Sequence, residues 1–155
     1  MAVRIGDVET VLLHVLRRFN YEVRTLKRGD VIGCRKPGST IASYKSNNAS
    51  GTAVDVCPQV YPAGVKGGFF PLQLEVIRDI LADCEGVVRW GGDLKPVNES
   101  HFEIAVSPSS AQLTAVADKI RGWNHVPGAG AGVLANPRDP KRLQAAQKLK
   151  RRQGA

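Results

Sequence analysis

Ser46-Asn47-Asn48-Ala49-Ser50-Gly51-Thr52-Ala53-Val54-Asp55-Val56-Cys57 is a polar loop of small residues running into a short apolar strand with a single carboxylate, Asp55. An aspartate among Ala, Val and Thr needs a partner, because burying an unpaired charge is expensive. The sequence offers His101, which opens the run His101-Phe102-Glu103-Ile104-Ala105-Val106. Side chains alternate along a strand, so His101, Glu103 and Ala105 share one face and Phe102, Ile104 and Val106 the other. By the same rule Ala53, Asp55 and Cys57 share a face. If the two strands pair, Asp55 and His101 can meet. A carboxylate beside an imidazole is half a metal site.

Around these strands the sequence places helices. Val8, Val11, Leu12, Val15, Leu16 and Phe19 recur at helical spacing, with Asp7 as N-cap. His14 lies off that stripe and reads as a surface histidine. A strand over 31–35 follows. A second helix starts at Pro71, a good first helical residue, and buries Leu74, Ile77, Ile80, Leu81 and Cys84. Val87 to Trp90 reads as a strand and Gly91-Gly92-Asp93 as a turn. Ser107-Pro108 reads as the start of a third helix ending at Gly122. Val126 to Pro137 is rich in Gly, Ala and Pro and has little core-forming potential. Asp139-Pro140 then opens a short basic helix, too charged to be stable alone. Trp90 and Trp123 read as core and linker anchors. There is no internal repeat.

The chain has 155 residues, 43% of them apolar, which suits one domain with an appendage. No apolar run reaches the length of a membrane span. Met1 to Asp7 does not read as a signal peptide. The three cysteines, Cys34, Cys57 and Cys84, are an odd number without zinc-knuckle spacing and read as free thiols. The net charge of +8 is uneven. Residues 122–155 hold seven Lys/Arg against one acid, leaving the rest almost neutral. Such a tail can meet phosphates, other anionic polymers or an acidic protein surface. With no interleaved aromatic residues, sequence-specific nucleic-acid reading is not expected.

The stretch Ser46-Asn47-Asn48-Ala49-Ser50-Gly51-Thr52-Ala53-Val54-Asp55 resembles the Ser-Asn-His-Ala-Ser-Gly-Thr-Ala-Ile-Asp motif of phage endolysin peptidases. These are zinc D-alanyl-D-alanine carboxypeptidases and L-alanyl-D-glutamate endopeptidases. The likeness continues through Tyr61-Pro62-Ala63-Gly64, the helix from Pro71, Val87 to Asp93 and His101-Phe102-Glu103-Ile104, covering roughly 8–121. The resemblance implies that two histidines and an aspartate hold zinc, leaving a position for water. A nearby carboxylate would take the water's proton and an arginine would stabilise the oxyanion. Asp55 matches the aspartate ligand, His101 the second histidine, and Arg35 is the candidate arginine. The first histidine falls at Asn48, and the catalytic carboxylate, three residues before His101, falls at Asn98.

Those two departures bear on the chemistry itself. An amide is a poor zinc ligand beside imidazole, and Asn98 cannot accept a proton as a base. Losing general-base catalysis alone typically costs roughly 10²–10⁴-fold. Glu99 is one residue from the expected base, and His125 or Cys57 could supply a ligand. Cys57, though, is two strand residues, about 6.6 Å, from Asp55. Both exchanges are near-isosteric, as when an enzyme is inactivated by design.

The expected fold is α+β: a small antiparallel sheet with three packed helices over 1–122, peptidase-like by the resemblance. A Pro/Gly linker over 123–138 and a basic C-terminal helix over 139–155 follow. The expected function is a degenerate, catalytically silent peptidoglycan-peptidase-like domain of a phage. It would act as a structural or cell-wall-binding virion module. Lys141, Arg142, Lys148, Lys150, Arg151 and Arg152 would dock it on other virion proteins. The alternative is an active zinc-dependent phage peptidase that cuts stem-peptide bonds with an altered site. Zinc is the expected cofactor if the protein is active; as the sequence stands, no metal or a weakly bound one is expected. The expected location is the host cytoplasm during synthesis and then the virion.

Overall fold

The computed structural model describes residues 6–33 and 51–154. Cys34, Arg35, Asn48 and the start of the opening loop lie outside the described residues. Among the described residues the protein is α+β, with one four-stranded antiparallel sheet and four α-helices.

The apolar stripe from Val8 to Phe19 forms α1 (Asp7–Glu22) and is buried along its length. Gly6, at φ 96°, takes the N-cap position read for Asp7, a conformation that glycine adopts without steric cost. Asp7 is instead spent on a tertiary contact. Its carboxylate accepts hydrogen bonds from Thr114 Oγ1 (2.8 Å) and Arg121 Nη2 (2.7 Å), two helices away in sequence.

The sheet comprises β1 (Val31–Ile32), β2 (Ala53–Val56), β3 (Val88–Trp90) and β4 (His101–Ile104), in the order β1-β2-β4-β3. β4 stops two residues short of the alternating run, because its partner β3 begins at Val88, opposite Ile104. Val54, Val56, Phe102, Ile104 and Trp90 join the apolar core together with α1. There Phe19 meets Phe102 and Phe69 edge-on, at 6.2 and 6.0 Å between ring centres, and Tyr61 stacks on Phe69 at 4.0 Å. Edge-on and offset pairs of this kind fix ring positions more tightly than area burial alone.

α2 (Pro71–Asp83) begins where proline fits, and the Gln73 side chain accepts the Phe70 backbone N–H at 2.9 Å. It ends at Asp83, and Glu85 and Gly86 follow, both at positive φ. α3 (Ala111–Asn124) starts after Ser110, whose hydroxyl accepts the Leu113 N–H at 3.2 Å, and not at Ser107. It runs through Gly122 to Asn124.

α4 (Pro140–Arg152) is capped by Asp139, as its sequence suggests, and it lies against α2. Ala146 and Leu149 are its buried residues, and burying a leucine is worth about 2 kcal/mol. Ionic contacts fix where the helix docks. Arg142 donates from Nε and Nη2 to Asp79 at 3.0 and 2.7 Å, and Arg18 of α1 reaches the same carboxylate at 2.7 Å. Arg18 also donates to Glu22 and Asp83, and His14 Nε2 lies 3.0 Å from Asp83. His14 is therefore buried, not a surface residue: Asp79 and Asp83, four apart on α2, draw His14 and Arg18 inward. The helix that could not stand alone is held by its own chain.

Asp83 couples this cluster to pH. Burial favours its neutral form, but His14, Arg18 and Arg142 outweigh that and hold its pKa below the ordinary 3.8. A carboxyl depressed in the folded state stabilises the fold above its unfolded value, and that contribution is lost as pH falls through the folded value. The urea midpoint should therefore drop as the pH falls below about 4, and Asp83→Asn should flatten that part of the profile. Asp79→Ala, which leaves Arg142 and Arg18 without their shared partner, should cost about 3 kcal/mol in the same assay.

Candidate functional site

The register of β2 on β4 sets Asp55 opposite His101 and Ala53 opposite Glu103, while β3 sets Arg89 opposite Glu103. One face of the sheet thus carries Asp55, His101, Glu103 and Arg89 in a row. His101 Nδ1 lies 2.7 Å from Asp55 Oδ1, and its Nε2 lies 3.2 Å from Glu103 Oε2. Arg89 Nη2 donates to the other Glu103 oxygen at 2.8 Å. Asp55, His101 and Glu103 are all buried.

A carboxylate on each ring nitrogen calls for two N–H donors, which is the imidazolium form. Burial by itself would lower the His101 pKa. The hydrogen bonds and charges of Asp55 and Glu103 more than offset this and raise it above 6.5. Zinc instead needs a deprotonated ring nitrogen. Among the described residues, no group of three His, Cys, Asp or Glu is placed to hold a metal ion. Position 48, where the resemblance expects the first histidine, and Arg35 lie outside them.

Asn98 sits beside this row and is buried. Its side-chain oxygen accepts from the Ser100 hydroxyl at 2.7 Å and more weakly from the Ser100 N–H at 3.3 Å. Its backbone is tied to Gly91 O (2.9 Å) and to the His101 N–H (3.1 Å). Gly91 is required here by space, because a Cβ would overlap the Asn98 carbonyl oxygen. Glu99 is buried too, and its carboxylate accepts the Gly68 N–H at 2.7 Å, while its carbonyl takes the Trp90 indole N–H at 2.8 Å.

The other expected ligands sit elsewhere. The Cys57 thiol is pushed up by burial and by Asp30. Cys84 is pushed up to about 12, again mainly by burial. Both are free thiols. His125 is exposed at the end of α3, near Arg17 and Tyr21. Of the tail cations, Arg142 is spent on Asp79 and Asp83, and Arg152 donates to the Glu85 carbonyl at 3.1 Å. Lys141, Lys148, Lys150 and Arg151 are exposed.

Sequence reasoning missed Glu103 and Arg89 as members of the row. The alternation that put Glu103 on the face of His101 already carried the signal. No family model matches the chain, and neither a curated protein nor a solved structure does.

A histidine whose pKa is raised on folding adds stability that is full below its unfolded value, near 6.5, and is lost as pH rises through the folded one. The melting temperature should therefore fall on going from pH 6 to pH 9. His101→Gln should remove that slope and lower the melting temperature at pH 6.

Proposed function

We propose that the protein is a degenerate peptidoglycan-peptidase-like domain of a phage. It is catalytically silent and kept as a structural or cell-wall-binding module of the virion. The observation that carries this reading is the engagement of His101 by carboxylates on both ring nitrogens. In the imidazolium form that these contacts favour, the ring offers no lone pair to a metal. Asn98 adds to it: where the resemblance expects a proton acceptor there is an amide whose oxygen is taken up by Ser100. Glu99, the nearest replacement base, is buried and already accepts the Gly68 N–H.

In this reading the scaffold is that of the D-alanyl-D-alanine peptidases, and the ancestral cleft survives as a surface for stem peptide or as a packing unit. The basic helix serves as the docking element. Its partner-facing charge comes from Lys141, Lys148, Lys150 and Arg151, since Arg142 and Arg152 are used within the chain. Among the described residues no helix is long and apolar enough to cross a membrane.

The test is metal content by mass spectrometry on protein purified without chelator, beside an Asn48→His/Asn98→Asp double variant. The expected result is metal-free protein that releases no cell-wall fragments, while the double variant takes up zinc. Stoichiometric zinc in the unaltered protein, with cell-wall cleavage lost on Asp55→Ala, would overturn the silent reading in favour of an active zinc peptidase. Sedimentation with purified cell walls separates the wall-binding form of the reading from the purely structural one.

A further inference from the structure

Away from the Asp55–His101 row, a cavity of about 340 Å³ lies between α1, the ends of α2 and α3, and the Gly-rich strap that leads to α4. It shares no lining residue with that row. His14, Arg18, Asp83 and Arg142 form its polar wall, Trp123 its aromatic wall, and the strap at Gly128 to Gly130 closes it. Its volume falls at the lower end of the roughly 300–1,000 Å³ typical of small-molecule sites.

One atom in this wall is left over. His14 is 2% exposed, and its Nδ1 is, among the described residues, the one buried side-chain polar atom without a hydrogen-bond partner. The Nε2 of His14 faces the Asp83 carboxylate at 3.0 Å, so in the neutral ring the proton sits on Nε2 and Nδ1 is an acceptor. A buried acceptor left unmade is costly, so a donor belongs there. Arg142 spends Nε and Nη2 on Asp79 and Asp83, which leaves Nη1 as a donor on the same wall.

Charge narrows the ligand. Two guanidiniums, Arg18 and Arg142, face three carboxylates, Glu22, Asp79 and Asp83, and with His14 every one of the six carboxylate oxygens already takes a donor. An anion would meet a net negative cluster, and a cation would lose its water without finding a free oxygen. The ligand should be neutral. It should offer a hydroxyl or amide donor to Nδ1, an acceptor to the guanidinium, and a C–H face to the Trp123 indole, whose ring also carries the Lys119 ammonium 4.8 Å from its centre. A sugar ring has all three.

We propose that this cavity is a binding site for a neutral saccharide unit, separate from the peptidase-like centre. The ligand sits between His14 and the 128–130 strap, with Trp123 as its platform. Because Arg142 lines the site and also anchors α4, an occupied site tightens the docking of the tail helix.

The two tryptophans report on the two sites separately: Trp123 lines the cavity, and Trp90 bonds Glu99 beside the Asp55–His101 row. The full chain, labelled with ¹⁵N, is titrated with N-acetyl-D-glucosamine and with D-glucose, and with acetate and methylammonium as charged comparators. The expected result is a saturable shift of the Trp123 indole and the His14 ring with at least one sugar, with Trp90 unmoved and the comparators silent. His14→Phe should weaken binding roughly tenfold, the loss of about one hydrogen bond. Ala129→Leu, on the exposed strap and clear of the helices, should block the cavity without disturbing the fold. No saturable Trp123 shift up to about 50 mM of either sugar would overturn the site. So would an equal response to the charged comparators, or binding unaffected by Ala129→Leu. Shifts at Trp90 alone would place sugar at the peptidase-like centre and reject the cavity, whereas shifts at Trp123 alone leave the reading of that centre untouched.

Discussion

Two carboxylates, Asp55 and Glu103, are buried in the sheet with one imidazole between them, and the sheet depends on that arrangement being satisfied. Neither acid could stay ionised there unpaired, since an isolated buried carboxylate would neutralise or expel the strand. The antiparallel register of β2 on β4 resolves this by setting Asp55 across from His101, and β3 completes it with Arg89 on Glu103. A one-residue slip of β4 would turn His101 and Glu103 to the apolar face and bring Phe102 and Ile104 to the acids. The ionic row on one face and the aromatic cluster on the other therefore specify the same register.

The same interaction shows how buried acids on the sheet are balanced. Two negative charges need positive charge nearby. A divalent metal can supply it, and so can an imidazolium aided by a guanidinium. Buried ion pairs of this kind are better evidence of a specified arrangement than of great stability. A second ionic cluster, built from Arg18, Asp79, Asp83 and Arg142, plays a parallel part at the far end of α2, where it fastens the C-terminal helix to the body.

Much of this was legible in the sequence. Period-two alternation placed Asp55 with His101, helical spacing located α1, and Pro71 and Asp139-Pro140 marked two helix starts. What the sequence hid were the contacts that join distant segments. Asp7 looks like an N-cap but is used by Thr114 and Arg121, more than a hundred residues away. His14 looks like a surface residue because nothing local shows that Asp83 waits across the helix interface. The basic tail reads as an arm reaching outward, yet two of its arginines turn inward. Charge composition counts cations without saying which acids they face.

The most direct test of this account is the protonation of His101, read from long-range ¹H–¹⁵N correlations of its ring at neutral pH. The account requires both ring nitrogens to show imidazolium shifts, and to keep them when zinc is added in excess. A single unprotonated nitrogen that moves on adding zinc would contradict it, and would mean that this centre still binds metal.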